Sequence, residues 1–232
     1  MARSQRMGGV AALVAAGTFV VGFALLFALL VPAGYFAAEA DPVQNAAFLA
    51  EHHAILSLWY LTIYVVFGVV LVVLSLALHE RLHGAPAIAQ VATAFGLIWA
   101  GLVIASGMVA NVALRAVVDL HATDPAQAAS LWMAANAVVT GLGGGNEIVG
   151  GLWLLLVSSA AMRTGALPRA LDVFGIAVSV AGILTTVPVL AALGLFGALF
   201  GLGLIVWFVW AGVVLLRGSP GGAVDRPGGP LA

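Results

Sequence analysis

The chain has 232 residues, 63% of them hydrophobic and 7% charged, with mean hydropathy +1.18 and a formal net charge of −1. So large an apolar excess excludes a water-soluble globular domain, and the near-zero charge, without any basic patch, excludes a nucleic-acid surface. Cysteine and lysine are absent and all eight cationic residues are arginine, so disulfides, thiolate metal sites and lysine Schiff bases are excluded too.

Spans of about 20 apolar residues are needed to cross a bilayer, and six fit: 8–31, 54–78, 88–110, 131–161, 173–190 and 197–216. Backbone groups in lipid must pair within their own segment, so these spans are helices. The expected fold is all-α, a polytopic transmembrane bundle of six helices over 1–217. Its tail, 218–232, lacks apolar periodicity and is expected to be disordered in the cytoplasm. Arg3, Arg6, Arg81, Arg163, Arg169, Arg217 and Arg226 fall on one side of this arrangement and only Arg115 on the other, which puts both termini inside.

In chain order, the first run is led by Arg3 and Arg6 and followed by Phe36-Ala37-Ala38-Glu39-Ala40, as a secretory signal would be. It is longer than the roughly 7–15 residues of a signal core, so a retained first helix is expected. Two outer segments then open alike, DPVQNAAFLAEHHAIL from Asp41 and DPAQAASLWMAANAVV from Asp124. Each aspartate is placed to cap free amides and each proline suits the first helical position, so helices two and four should start well before the membrane. In this register His53 matches Asn136, Ser57 matches Thr140 and Tyr64 matches Glu147, which points to a parallel repeat of helical hairpins 1–2 and 3–4. Spans five and six are separated by Thr185-Thr186-Val187-Pro188 and a glycine-rich turn, which implies a short outer connection. Trp59, Trp132, Trp153, Trp207 and Trp210 fall toward span ends or on lipid-facing positions, where they are expected to anchor the bundle at the interfaces.

Gly165-Ala166-Leu167-Pro168-Arg169-Ala170-Leu171 followed by Gly175, and the closing Ile205-Val206-Trp207-Phe208-Val209-Trp210-Ala211-Gly212 ending in Leu216-Arg217-Gly218, resemble small bacterial six-helix integral membrane proteins whose domain has no assigned function. The Arg6-Met7-Gly8-Gly9 entry into the first helix is similar. The resemblance covers most of the chain. Its motifs are helix boundaries, so it implies topology only, without chemistry. A bacterial cytoplasmic membrane is the expected location.

Two constellations carry chemistry. The first is His79-Glu80-Arg81-Leu82-His83, the H-E-x-x-H spacing in which two imidazoles on one helix face share zinc while the glutamate activates its water. Asp172, at the inner start of span five, is the candidate third ligand. Pro168-Arg169-Ala170-Leu171-Asp172 resembles the second metal-binding segment of intramembrane site-two proteases, with Val173 in place of their glycine. Gly84 and Pro86 end the helix almost at His83, and histidine and arginine at a helix C-terminus also suit its dipole without any metal.

The second is the run from Gly141 to Glu147 in the middle of span four. A carboxylate at that depth costs about 2.5–3.5 kcal/mol on insertion scales, so it should face protein or water. Asn136, Thr140 and Glu147 share a face at helical spacing, with Asn146 adjacent. Helix two offers His53, Tyr60 and Tyr64, and helix three offers Asn111 and Arg115. Their convergence would give an outward-open polar pocket with Glu147 at its floor, Arg115 and His53 nearer the mouth, and tyrosine hydroxyls between. The glycine run weakens the helix there, and broken spans recur beside transporter binding sites. Three function classes follow: binding or moving a small molecule or proton in that pocket; a zinc-dependent membrane hydrolase using His79, His83 and Asp172 with Glu80 as base; or a structural or accessory subunit whose partner is the lipid bilayer.

Overall fold

The computed structural model describes residues 2–35, 41–144, 147–191 and 194–218, so the expected tail lies, beyond Gly218, outside the described residues. Every regular element among them is helical. The first rod is α1 (Ala2–Leu25), widening into π-type turns at Leu26–Leu30. The second contains α2 (Pro42–Glu51), α3 (His53–Tyr60), π-type turns over Leu61–Val66, and α4 (Phe67–Arg81). The third, α5 (Pro86–His121), is uninterrupted, whereas α6 (Pro125–Val139) and α7 (Ile148–Thr164) are two halves of the fourth. Then come α8 (Arg169–Leu184), the short α9 (Pro188–Ala191) and α10 (Leu195–Arg217).

Five stretches are long and apolar enough to cross a membrane: Arg3–Leu30, His53–Arg81, Pro86–His121, Pro125–Thr164 and Leu195–Arg217. By length and composition this is a multi-pass membrane protein. The expected fifth span, 173–190, differs. Its helix α8 stops after 16 residues, about 24 Å of rise against about 30 Å of hydrocarbon. The Thr185 hydroxyl donates to the Gly182 carbonyl at 2.6 Å, and Pro188, which lacks an amide hydrogen and clashes with a preceding helical turn, begins α9 instead of extending α8.

Both aspartate–proline starts cap as their chemistry requires. Asp41 accepts from the Val43 amide at 2.9 Å and Asp124 from the Gln127 amide at 3.0 Å, each with proline in the first turn. Around these starts α2, α6 and the last turns of α5 pack together, burying Leu49, Leu114 and Trp132. Because α5 has 36 residues, about 54 Å at 1.5 Å each, it outruns the hydrocarbon and carries this helical cap with it.

The long rods close into a ring, α1, α4, α5, α7, α8, α10, with α10 returning to α1. Aromatic side chains fill its interior. Trp153 and Trp207 are 0% exposed and meet edge to face, with centroids 5.6 Å apart at 76°, and Phe67 meets Trp99 at 5.1 Å and 73°. This corrects the interfacial placement expected for Trp153 and Trp207. Trp132 is buried in the cap and Trp59 is half-buried, while Trp210, 38% exposed, alone of the five faces outward to any large extent. The reason is that small residues on the facing helices make room for the rings, a complementarity that hydropathy does not report.

The same packing occurs twice. A Cβ on Gly96 of α5 would lie 2.3 Å from Ser75 Oγ of α4 and 2.7 Å from Trp153 Nε1 of α7. A Cβ on Gly175 of α8 would lie 2.2 Å from Ser158 Oγ of α7 and 2.8 Å from Trp207 Nε1 of α10. Likewise Gly68 sits against the Ala100 carbonyl and Ile104, and Gly151 against the Ser179 carbonyl and Ile183. The register that pairs Asp41 with Asp124 also pairs Gly68 with Gly151 and Ser75 with Ser158.

Overfilling either notch should therefore cost stability. Gly96→Ala and Gly175→Ala are each expected to lose about 1–3 kcal/mol, read as a lower unfolding midpoint by circular dichroism in detergent. Gly101→Ala, whose Cβ would meet nothing within 4 Å, should leave the midpoint unchanged or raise it. Equal behaviour of all three variants would contradict the notches.

Candidate functional site

The fourth rod breaks where its glycines cluster. Gly143 takes φ 154°, a conformation that only glycine adopts without strain. Beyond it α7 restarts at Ile148 with Glu147 as its N-cap residue. Irregular backbone is tolerated at membrane depth only where its polar groups find partners, and here neighbouring hydroxyls supply them. The Glu147 amide donates to Thr185 Oγ1 at 3.0 Å. On the other side of the break, the Ser106 hydroxyl lies 3.3 Å from the Val139 carbonyl and 3.0 Å from that of Leu102, sharing its proton between them.

The Glu147 carboxyl itself has no hydrogen-bond or ionic partner among the described residues. It opens onto a partly open cavity of about 330 Å³ bordered by α1, the Trp59–Phe67 stretch of the second rod, α5 and the break. Six aromatic side chains line it: Phe19, Phe23, Trp59, Tyr64, Phe67 and Trp99. Thr18 also lines it, with its hydroxyl donated to the Ala15 carbonyl at 2.7 Å. Trp59 donates its indole N–H to the Gly22 carbonyl at 3.3 Å, bridging the seam between α3 and α1. No arginine, lysine or histidine is part of the lining.

Of the residues singled out from the sequence, Glu147 and Tyr64 meet at this cavity. Tyr60 is buried in the cap core and stacks on Tyr64 with centroids 6.0 Å apart. Asn111 is half-buried and turns its amide back to the Gly107 carbonyl at 2.9 Å. His53, Arg115, Asn136 and Thr140 lie on exposed faces of their helices, so the polar stripe does not converge, and Asn146 lies outside the described residues. The wide turns at Leu61–Val66 and Thr140–Gly144 explain the difference. Each rotates the helix beyond it, so a face counted at uninterrupted helical period does not carry through. The aromatic wall was missed because only polar residues were sought; Phe19 and Phe23, four apart in the first span, were the available signal.

The H-E-x-x-H residues disperse. α4 ends at Arg81, leaving His83 in the turn beyond it. The Thr93 hydroxyl donates to the Ala89 carbonyl and so accepts from His79 Nδ1, 2.9 Å away. His83 Nδ1 donates to the Glu80 carbonyl at 3.2 Å, and the Glu80 carboxylate takes the Ser4 hydroxyl. Asp172 is 1% exposed, and neither carboxyl oxygen has a partner. Among the described residues no three histidine, aspartate or glutamate side chains are grouped to hold a metal ion.

Arg81 ties this end of the bundle together, donating from Nε to the Ala166 carbonyl at 2.9 Å and from Nη1 to Gln5 Oε1 at 3.2 Å. The cavity occupies the half of the bundle remote from these contacts. The chain matches no protein-family profile, no curated protein and no solved structure.

The support beneath Glu147 is testable. Thr185→Val removes the acceptor of the Glu147 amide and should destabilise by about 1–3 kcal/mol, the cost of a buried unsatisfied donor. It should also speed hydrogen exchange at Glu147 and Ile148 relative to the rest of α7. Unchanged exchange there would mean that the hydroxyl does not hold the break.

Proposed function

We propose that the chain is a six-helix protein of a bacterial cytoplasmic membrane, with both termini inside, that binds or moves a small molecule or proton at the cavity beside Glu147. The observation that carries this reading is a carboxyl with no partner among the described residues, opening onto a partly open cavity among apolar helices. An ionisable group at membrane depth is costly and is kept where it faces protein, water or a ligand.

Six crossings are supported by the doubled packing. The hairpin of α4 and α5 and the hairpin of α7 and α8 use the same glycine notches, with Gly68 and Ser75 answering to Gly151 and Ser158, and Gly96 and Ile104, four residues out of that register, to Gly175 and Ile183, so α8 takes the place of the first half of α5 and counts as a short crossing. In this reading the repeat joins helices two and three with helices four and five. The inward side is favoured for Arg81, Arg163, Arg169 and Arg217 because each stands at a helix end and these ends alternate consistently along the ring.

Since the chain has no cysteine, single replacements report topology directly. Thr123→Cys should be labelled on intact cells by a membrane-impermeant maleimide, and His83→Cys only after permeabilisation; the reverse pattern would invert the protein. For the cavity, tert-butylbenzene should raise the unfolding midpoint of the wild-type protein in lipid nanodiscs. It should do nothing for Val103→Phe, whose added ring occupies the space beside Trp99. An equal effect on both would assign the ligand to the lipid instead.

A further inference from the structure

We propose that the ligand is a hydrophobic organic cation, a protonated or quaternary amine with apolar substituents, which rests on the cavity being a ligand site as proposed above. The argument is one of charge and surface. Among the described residues the lining contains one carboxyl and no cationic side chain. An ionised carboxylate in a low-dielectric space needs a counter-charge, and with no protein group supplying one, either a proton or the ligand must.

The walls select among ligands. Aromatic faces carry negative electrostatic potential and attract ammonium groups, and six aromatic side chains border this space. An anion would meet the carboxylate and the ring faces together, both repulsive. A neutral lipophile would satisfy the walls and leave Glu147 without a partner. A metal cation is disfavoured for a different reason. Hard ions take about six to eight oxygen ligands, whereas the side chains of the described lining offer the Glu147 carboxyl and the hydroxyls of Tyr64 and Thr18. A volume near 330 Å³, at the small end of about 300–1,000 Å³ for ligand pockets, suits one ring with a compact ammonium group.

The test uses two molecules of the same shape, phenyltrimethylammonium and its carbon isostere tert-butylbenzene, titrated against the whole protein in nanodiscs. Trp59 and Trp99 line the cavity, so quenching of tryptophan fluorescence reads occupancy. The wild-type protein should bind the ammonium at least about tenfold more tightly than the isostere. Glu147→Gln should lower the preference at least about threefold while keeping the isostere's affinity, which also shows that the variant is folded. Glu147→Asp should retain the preference. Equal wild-type affinities would overturn the cation assignment and leave the cavity as a ligand site. An undiminished preference in Glu147→Gln would overturn the role given to the carboxylate. Failure of both molecules to bind would overturn the ligand site itself.

Discussion

Lipid tails are as apolar as leucine, so helices in a bilayer associate only where they fit one another better than they fit acyl chains. In this protein that fit comes from glycine set against large side chains: Gly96 beneath Trp153, Gly175 beneath Trp207, Gly150 against Trp99 and Gly182 against Phe200. The rings brought together this way then pack edge to face through the middle of the bundle. Their polar edges are a cost of the arrangement. The indole nitrogens of Trp153 and Trp207 and the hydroxyls of Ser75 and Ser158 are all buried without hydrogen-bond partners, each nitrogen beside the serine that shares its notch.

The functional space exists because this packing lapses on one side. Between α1 and the second rod, glycine is not matched by a ring that fills the gap: Gly22 meets only a methyl of Ile63, at 3.2 Å from where its Cβ would be. The break at Gly143 withdraws helix from the opposite wall and turns Glu147 toward the gap. Order around the carboxyl is supplied from behind, by Thr185 on α8, so the side chain is left free while its backbone is fixed. That division suits a group whose partner comes and goes.

The sequence made the rods legible because each is a long apolar run, and it made the starts of α2 and α6 legible because Asp41-Pro42 and Asp124-Pro125 have one obvious chemical use. It also singled out Glu147, since a carboxyl amid glycines in a hydrophobic run must be kept from lipid, whether by a pocket or by a hydrogen bond to another helix. What it concealed was everything that depends on rotation about a helix axis. The π-type turns at Leu61–Val66 contain no proline, glycine or charge to betray them, and the glycine run at Thr140–Gly144 marked a weak point without telling how far the chain turns there, yet together they decide that Tyr64 faces the cavity while Thr140 and Asn136 do not. The burial of Trp153 and Trp207 was hidden similarly, since a tryptophan's own letter does not say whether a glycine waits on the neighbouring helix. His83 was misplaced by two residues of helix: with α4 ending at Arg81, the spacing of the motif survives in the letters and is lost in space.

The closure of the ring has a consequence for how the molecule is made. α1 finds its most extensive packing against α10, which follows it in the chain by the length of the whole ring, and there Gly9 and Gly212 bring the two backbones together. A nascent chain that has inserted α1 must therefore hold that small-residue face against lipid, or against some temporary companion, until the ribosome has delivered α10. Contacts so distant along the chain form late. Assembly is then gated by translation of the C-terminal helix, and a product cut short before it is left with an open seam for membrane proteases to recognise.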